Sequence, residues 1–212
     1  MNSLMRRSET FVLFAIFLVA LGGIIYSFIR PAATSKPTHL EPALPVPALD
    51  VLANRRDFLG EGTEPYTLIE FGDYECPPCR GSRPRLKELL AKYKNRLKLD
   101  FRNLPLLEIH SNAMYAAIVA EAARDQHCFW AVHSTLYESV LTDSVIDSVM
   151  KQNMKVKALS NIQIQRARNA VEADMQLATK LDLSATPSFL LACPDGKLYQ
   201  LNELESISNY IK

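Results

Sequence analysis

Two cysteines stand two residues apart in Phe71-Gly72-Asp73-Tyr74-Glu75-Cys76-Pro77-Pro78-Cys79, with only prolines between them. Such a pair can be half of a metal site, a structural disulfide or a dithiol that exchanges electrons with other thiols. A structural zinc site asks for four ligands, usually as two close pairs. The other two cysteines, Cys128 and Cys193, are far apart in sequence, although His127 and His133 lie near the first. A Cys76–Cys79 bridge that served only as a clamp would close too short a loop to constrain the unfolded chain much. Placement therefore favours the redox dithiol.

That placement comes from the flanking pattern. Residues 66–71, YTLIEF, are β-rich and apolar and run directly into the motif. Beyond it Leu86, Leu89, Leu90 and Tyr93 follow the i, i+3, i+4, i+7 rule of one helix face. KLDFRNL (98–104) reads as a second strand, which completes a βαβ unit with parallel strands and a right-handed crossover. A cysteine pair at a strand-to-helix junction meets unpaired N–H groups and the positive end of the helix dipole. A thiolate on Cys76 is favoured there, which makes it both nucleophile and leaving group. Cys79 is one turn on and shielded. Pro77 suits a first helical turn and Pro78 stiffens it. Together they remove N–H donors that could have contacted a thiolate.

The middle of the chain reads as helical: 111–125 with Ser111 as candidate N-cap, then 129–137, 143–154 and 165–181, the last with Val171, Met175 and Ala178 on one face. The pattern then changes to a proline-opened strand at 186–192, a turn at 194–197 and a hairpin partner at 197–201. Asn202 and Glu205 have the spacing of a capping box before a short last helix carrying Leu204, Ile207 and Ile211. The expected fold class is α/β: βαβ, a helical insertion over about 108–182, then ββα.

The N-terminal part has other duties. Arg6 and Arg7 precede residues 11–29, an uncharged apolar run of 19. As a helix it spans roughly 28 Å, about the hydrocarbon thickness of a bilayer. The run is longer than the core of a cleaved signal and ends in bulky Phe28-Ile29-Arg30, although Ala32-Ala33 offers a cleavage site. The expectation is one transmembrane anchor at 11–29 with residues 1–10 cytoplasmic, so that everything after Arg30 is periplasmic or extracytoplasmic. Prolines at 31, 37, 42, 45 and 47 mark residues 30–49 as a linker, either an extended spacer or a disordered stub, before a domain at 50–212. The 212 residues, 48% apolar, suffice for one sizeable core, and the net charge of +1 without a basic arm argues against a nucleic-acid partner.

FGDYECPPC, the helix with Pro84, FRNLPL, IHSNAM, CFWAVHSTLY and SATPSFLL, in this order, resemble the DsbA-like thiol–disulfide oxidoreductases, in their membrane-anchored or secreted branch. The resemblance covers about 66–211 and implies a thioredoxin fold with a helical insertion and no cofactor or metal. It implies that Cys76 is the exposed nucleophile and Cys79 the resolving thiol. Thr186-Pro187 becomes a cis-proline loop facing the dithiol, where the Thr186 backbone can pair with a substrate strand. Glu70 matches a buried acid able to relay protons to Cys79; the alternative is a strand residue facing solvent. Phe129, Trp130 and His133 match an insertion signature read as packing, and His110 is read as helping to cap the following helix. Ala185 stands where the family often has glycine, and Pro77-Pro78 stand where strongly oxidising relatives carry a histidine that helps hold the thiolate. Cys128 and Cys193 are left as a second disulfide closing ~65 residues, as two buried thiols, or as a further redox pair.

The leading expectation is a monomeric oxidase that makes disulfides in thiol-containing exported proteins and is reoxidised by a quinone-linked membrane partner. A reductase or isomerase, for example in cytochrome maturation, is the alternative within the class. A non-catalytic, membrane-tethered peptide-binding module is the alternative outside it.

Overall fold

The computed structural model describes residues 43–53, 57–60, 63 and 65–211. The expected anchor at 11–29, the residues before it and the first part of the linker lie outside these. Among the described residues no helix is long and apolar enough to cross a membrane.

Seven elements make the frame: α1 (Ala48–Leu52), β1 (Tyr66–Gly72), α2 (Pro77–Lys92), β2 (Leu97–Asn103), β3 (Ser188–Ala192), β4 (Leu198–Leu201) and a closing 3₁₀ helix (Leu204–Asn209). Between β2 and β3 come the four helices of the insertion, α3 (Ala113–Arg124), α4 (Phe129–Glu138), α5 (Asp143–Met154) and α6 (Asn161–Lys180). The sheet order is β2-β1-β3-β4. β1 and β2 are parallel, as a helical crossover requires, and Glu70 sits opposite Phe101. The β1–β3 and β3–β4 pairs are antiparallel.

Period-2 alternation sends successive strand residues to opposite faces. On one face Ile69, Phe71, Leu190 and Leu198 pack with Ala178 of α6, with Leu181 just after it, and with Ala48 and Val51 of α1. On the other, Leu68, Leu97, Leu99 and Leu191 pack with Leu86 and Leu89 of α2 and with Ile207 and Ile211 near the end of the chain. The insertion has its own core, in which Val119, Phe129, Leu136 and Ile146 join Tyr74, Phe101 and both cysteines of the motif. The dithiol thus sits where insertion meets sheet.

Ala43 bridges Tyr199 and Leu44 N–H donates to Leu198 O at 2.7 Å, so described residues ahead of Asp50 also pack on the sheet. Leu59 makes a reciprocal pair of bonds with Leu99, both 2.9 Å. Both sheet edges are therefore covered by the N-terminal segment. Helix α3 starts at Ala113 after Asn112, whose side chain makes no cap, so Ser111 is not the N-cap. Side-chain caps are found instead on α5, where Thr142 Oγ1 accepts from Val145 N–H, and on α6, where Ser160 and Gln163 form a reciprocal capping box. Asn202 and Glu205 form no such box: the last segment is a 3₁₀ helix led by Glu203 without a side-chain cap.

Candidate active site

The turn that carries the dithiol is built by β1 ending at Gly72. A Cβ there would lie 2.6 Å from Phe101 Cε2 and 2.8 Å from the Tyr137 hydroxyl, so only glycine lets insertion and sheet close at this point. The chain then turns so that Cys76 N–H donates to Asp73 O at 3.2 Å. Cys76 is the extended N-cap of α2, with Pro77 and Pro78 as its first two residues and no side-chain cap. Arg80 N–H, the first intrahelical donor after the prolines, reaches Cys76 O at 3.1 Å.

The Thr186–Pro187 peptide is cis, as the late Thr-Pro implied. Its loop lies over the dithiol, and Cys76 Sγ donates to Thr186 O at 3.2 Å. Exposure of Cys76 was expected; it is only 3% exposed, because this loop covers the thiol. Cys79 is fully buried. Burial pushes its thiol up most, and the charges of Glu70 and Cys76 add to this. Thr186 Oγ1 is itself buried without a hydrogen-bond partner.

Glu70 is fully buried on the α2 face, which removes the solvent-facing alternative. Neither of its oxygens has a hydrogen-bond partner, and Arg83 Nη1 of α2 stands 3.9 Å from Oε2. Burial raises the carboxyl to about 7 against the opposing charge of Arg83. A buried acid that titrates near neutrality beside a buried thiol is suited to proton transfer. The Arg83 guanidinium also stands 5.1 Å from the ring centroid of Tyr137.

Around this group lies an aromatic cage. His133 is fully buried, its Nδ1 is 3.1 Å from the Tyr74 hydroxyl, and its Nε2 has no partner. Burial first, then Arg83 and Arg124, hold His133 well below its usual range, so the ring is neutral. Phe101, Phe129 and Trp130 stack around it at 4.5, 5.4 and 5.0 Å. Phe129, Trp130 and His133 therefore pack, and none reaches the sulfurs through a hydrogen bond. His110 does not cap α3 with its side chain: its Nδ1 lies 2.8 Å from Asp73 Oδ2.

Cys128 and Cys193 are free, half-buried thiols in the structure rather than a bridged pair. Cys128 Sγ donates to Ala123 O at 3.6 Å and packs against the insertion core, whereas Cys193 packs against the α2 face of the sheet. Sequence reasoning passed over Asp73, Glu75 and Arg83. All three are ordinary charged residues in composition, and only the folded chain shows what they face.

The family model described as Thioredoxin matches residues 54–212. A probable disulfide bond formation protein D of Bacillus anthracis is 29% identical over 156 residues, which cover 65% of this chain and 71% of that protein. The Na(+)/H(+) antiporter NhaA 1 of Salinispora arenicola is 43% identical over 77 residues, or 36% of this chain. The matches cover only 12%, 21% and 23% of the length of three such antiporters. Among solved structures, oxidised BdbD of Bacillus subtilis superposes with a TM-score of 0.60 at 21% identity, covering 81% of this chain and 93% of that one. A cysteine pair at the N-cap of the first long helix, a cis-proline loop across from it and a match over three quarters of the sequence agree: the chain belongs to the thioredoxin family.

Proposed function

We propose that this protein is a thiol–disulfide oxidoreductase that introduces disulfides into exported proteins through the Cys76–Cys79 pair. The observation that carries the reading is the Cys76 Sγ to Thr186 O contact of 3.2 Å, which sets the first thiol against the cis-proline loop while Cys79 is sealed beneath. In the oxidised protein a client thiolate attacks Cys76 Sγ, the Cys76–Cys79 bond breaks, and Cys79 leaves as a thiolate that takes a proton from Glu70. A second client thiolate then attacks the client sulfur of the mixed disulfide. The client gains a disulfide, and two electrons remain on the pair as two thiols. An electron acceptor must regenerate the disulfide, and a quinone-linked membrane protein is of the right chemical class. The apolar run at 11–29 supports an anchored domain on the same side of a membrane as such clients. The name of the Bacillus relatives, disulfide bond formation protein D, supports the oxidase direction.

A reductase or isomerase is favoured by one observation. Pro77 and Pro78 occupy the first two helical positions and remove two donors from the cap, and Cys76 Sγ meets a carbonyl, which suits a protonated thiol. The direction is read by equilibrating the pair with glutathione: an oxidising potential supports the oxidase and a strongly reducing one the reductase. The exchange role itself is read from Cys79→Ser, which accumulates mixed disulfides with clients through Cys76 on non-reducing gels. Absence of these adducts refutes it. A binding module, by contrast, keeps its function in Cys76→Ala.

A further inference from the structure

Thr186 O is occupied by a donor that exists in one redox state only. Both cysteines of the motif are free thiols, and Cys76 Sγ donates its hydrogen to Thr186 O at 3.2 Å. The carbonyl lies just beyond the sheet, because the β1–β3 ladder ends at the Phe71–Ser188 pair. Ser184 and Ala185 ahead of it are exposed and Thr186 is half-buried, so a chain can approach the loop from outside. The Cys76 side of the contact is fixed separately. Asp73 Oδ2 accepts from Leu106 N–H at 2.8 Å and faces His110 Nδ1 at 2.8 Å, and Glu75 accepts from Asn112 N–H at 2.6 Å. The turn before the thiol is therefore held by bonds that do not involve the thiol hydrogen.

A thiol carries one hydrogen and a disulfide sulfur carries none. Oxidation of the pair removes the donor and leaves Thr186 O as an open acceptor at a half-buried position, where an unpaired carbonyl is costly. We propose that Cys76 is a redox latch on this carbonyl: the reduced pair fills it with S–H, and the disulfide opens it to a backbone N–H of an extended, unfolded client. Client is then taken up by the oxidised protein and let go by the reduced one. This rests on the exchange function proposed above and names the regulation of its client site. A carbonyl beyond a strand end recognises main chain rather than a side chain, so the partner is an extended segment with a free N–H. The latch moves with the electrons of exchange. Two thiols and one oxidised glutathione give the Cys76–Cys79 disulfide and two reduced glutathiones, which carry away both thiol hydrogens. A carbonyl has two lone pairs, so the S–H weakens the acceptor without abolishing it. Linkage makes the latch reciprocal: the factor by which oxidation tightens client binding is the factor by which bound client draws the glutathione equilibrium towards the disulfide.

The test uses the full chain at about pH 6, where an ordinary thiol keeps its hydrogen. Reduced, S-carboxymethylated ribonuclease A serves as an unfolded polypeptide without thiols. The disulfide form is expected to bind it about three- to tenfold more tightly than the dithiol form, and saturating polypeptide should shift the glutathione equilibrium by the same factor. Cys76→Ser and Cys76→Ala form no disulfide, so they separate the latch from other effects of oxidation. Serine keeps a hydrogen for Thr186 O and should bind as weakly as the dithiol form, whereas alanine offers none and should bind as tightly as the disulfide form. Equal affinity of the two variants, equal affinity of the two wild-type redox states, or no binding to either state would overturn the latch and leave the exchange function standing. A wild-type pair that glutathione neither reduces nor oxidises would overturn the exchange function instead, and the serine–alanine comparison would still decide the latch.

Discussion

Two clusters of buried charge lie on the same pair of parallel strands, and they are built on opposite rules. On β2, Arg102 Nε donates to Asp100 at 2.9 Å, its Nη1 to Asp174 at 2.9 Å, and its Nη2 to Val51 O. Asp174 also accepts from Asn103 N–H at 3.0 Å, while Glu121 accepts from Asn103 Nδ2 at 2.8 Å and from Arg124 at 2.9 Å. Arg124 Nη2 completes the group on Phe101 O at 3.1 Å. This cluster ties α1, α3 and α6 to the sheet. On β1, Glu70, Arg83, Tyr137 and His133 are gathered as tightly, yet both Glu70 oxygens, Arg83 Nη1, the Tyr137 hydroxyl and His133 Nε2 lack hydrogen bonds. Bonded carboxylates hold structure; an unbonded carboxyl in an apolar cage keeps its proton until near neutrality. The first cluster specifies the fold, and the second sits beside the dithiol.

The comparison is broken most severely from the structural side. Arg102→Ala leaves Asp100 and Asp174 buried without their cation and is expected to destabilise by about 3–5 kcal/mol in urea unfolding. Folded variant at low temperature should still exchange thiols, since no sulfur contacts this cluster; loss of exchange in folded protein would place both clusters in one unit.

Glu70→Gln tests the second cluster. Between pH 4.5 and about 7 the unfolded chain has ionised this carboxyl while the folded chain still holds its proton. Folding then takes up a proton, so Glu70 lowers stability as pH rises through this window, by about 3 kcal/mol in all, and adds no slope above it. Glu70→Gln should remove that slope, read as the difference between variant and wild-type unfolding curves at pH 5 and pH 8. An inflection near pH 7 is expected in the wild-type exchange rate, and it should be missing in Glu70→Gln. An unchanged pH profile would show that the carboxyl does not serve Cys79.

The smallest effect is expected at Arg83. Arg83→Met removes the charge that lowers Glu70, so the inflection should move upward by up to about one pH unit. At pH 5, where folded Glu70 is protonated with or without Arg83, stability should change by less than about 1 kcal/mol, because the arginine side is partly open to solvent. A downward move would mean that another cation sets Glu70.

Much of this was legible beforehand, for reasons tied to particular residues. YTLIEF followed by Cys-Pro-Pro-Cys and a 3.6-residue apolar period announces strand, cap and helix, because each is a local pattern. Glu70 was visible as an acid at a suggestive spacing, but its role depends on which strand face it takes and on what α2 places above it. Asp73 and Glu75 were read over entirely. Their partners, Leu106, His110 and Asn112, lie more than thirty residues away, and no local period marks such a pairing. Cys128 and Cys193 show the limit from the other side: four cysteines invited a second bridge, and the fold put these two in different packing clusters.

By itself the sequence determined the order of elements, the cap position of Cys76, the loss of two cap donors to Pro77 and Pro78, and the apolar run at 11–29. These follow from backbone chemistry and short-range periodicity, which a chain carries wherever it is placed. Tertiary structure alone decided that Cys76 lies under Thr186 O, that Glu70 is buried without a hydrogen bond, and that the turn before the dithiol is held by the insertion. Burial, pKa and the choice of hydrogen-bond partner are properties of distant segments brought into contact. They exist only once the helical insertion has closed on the sheet.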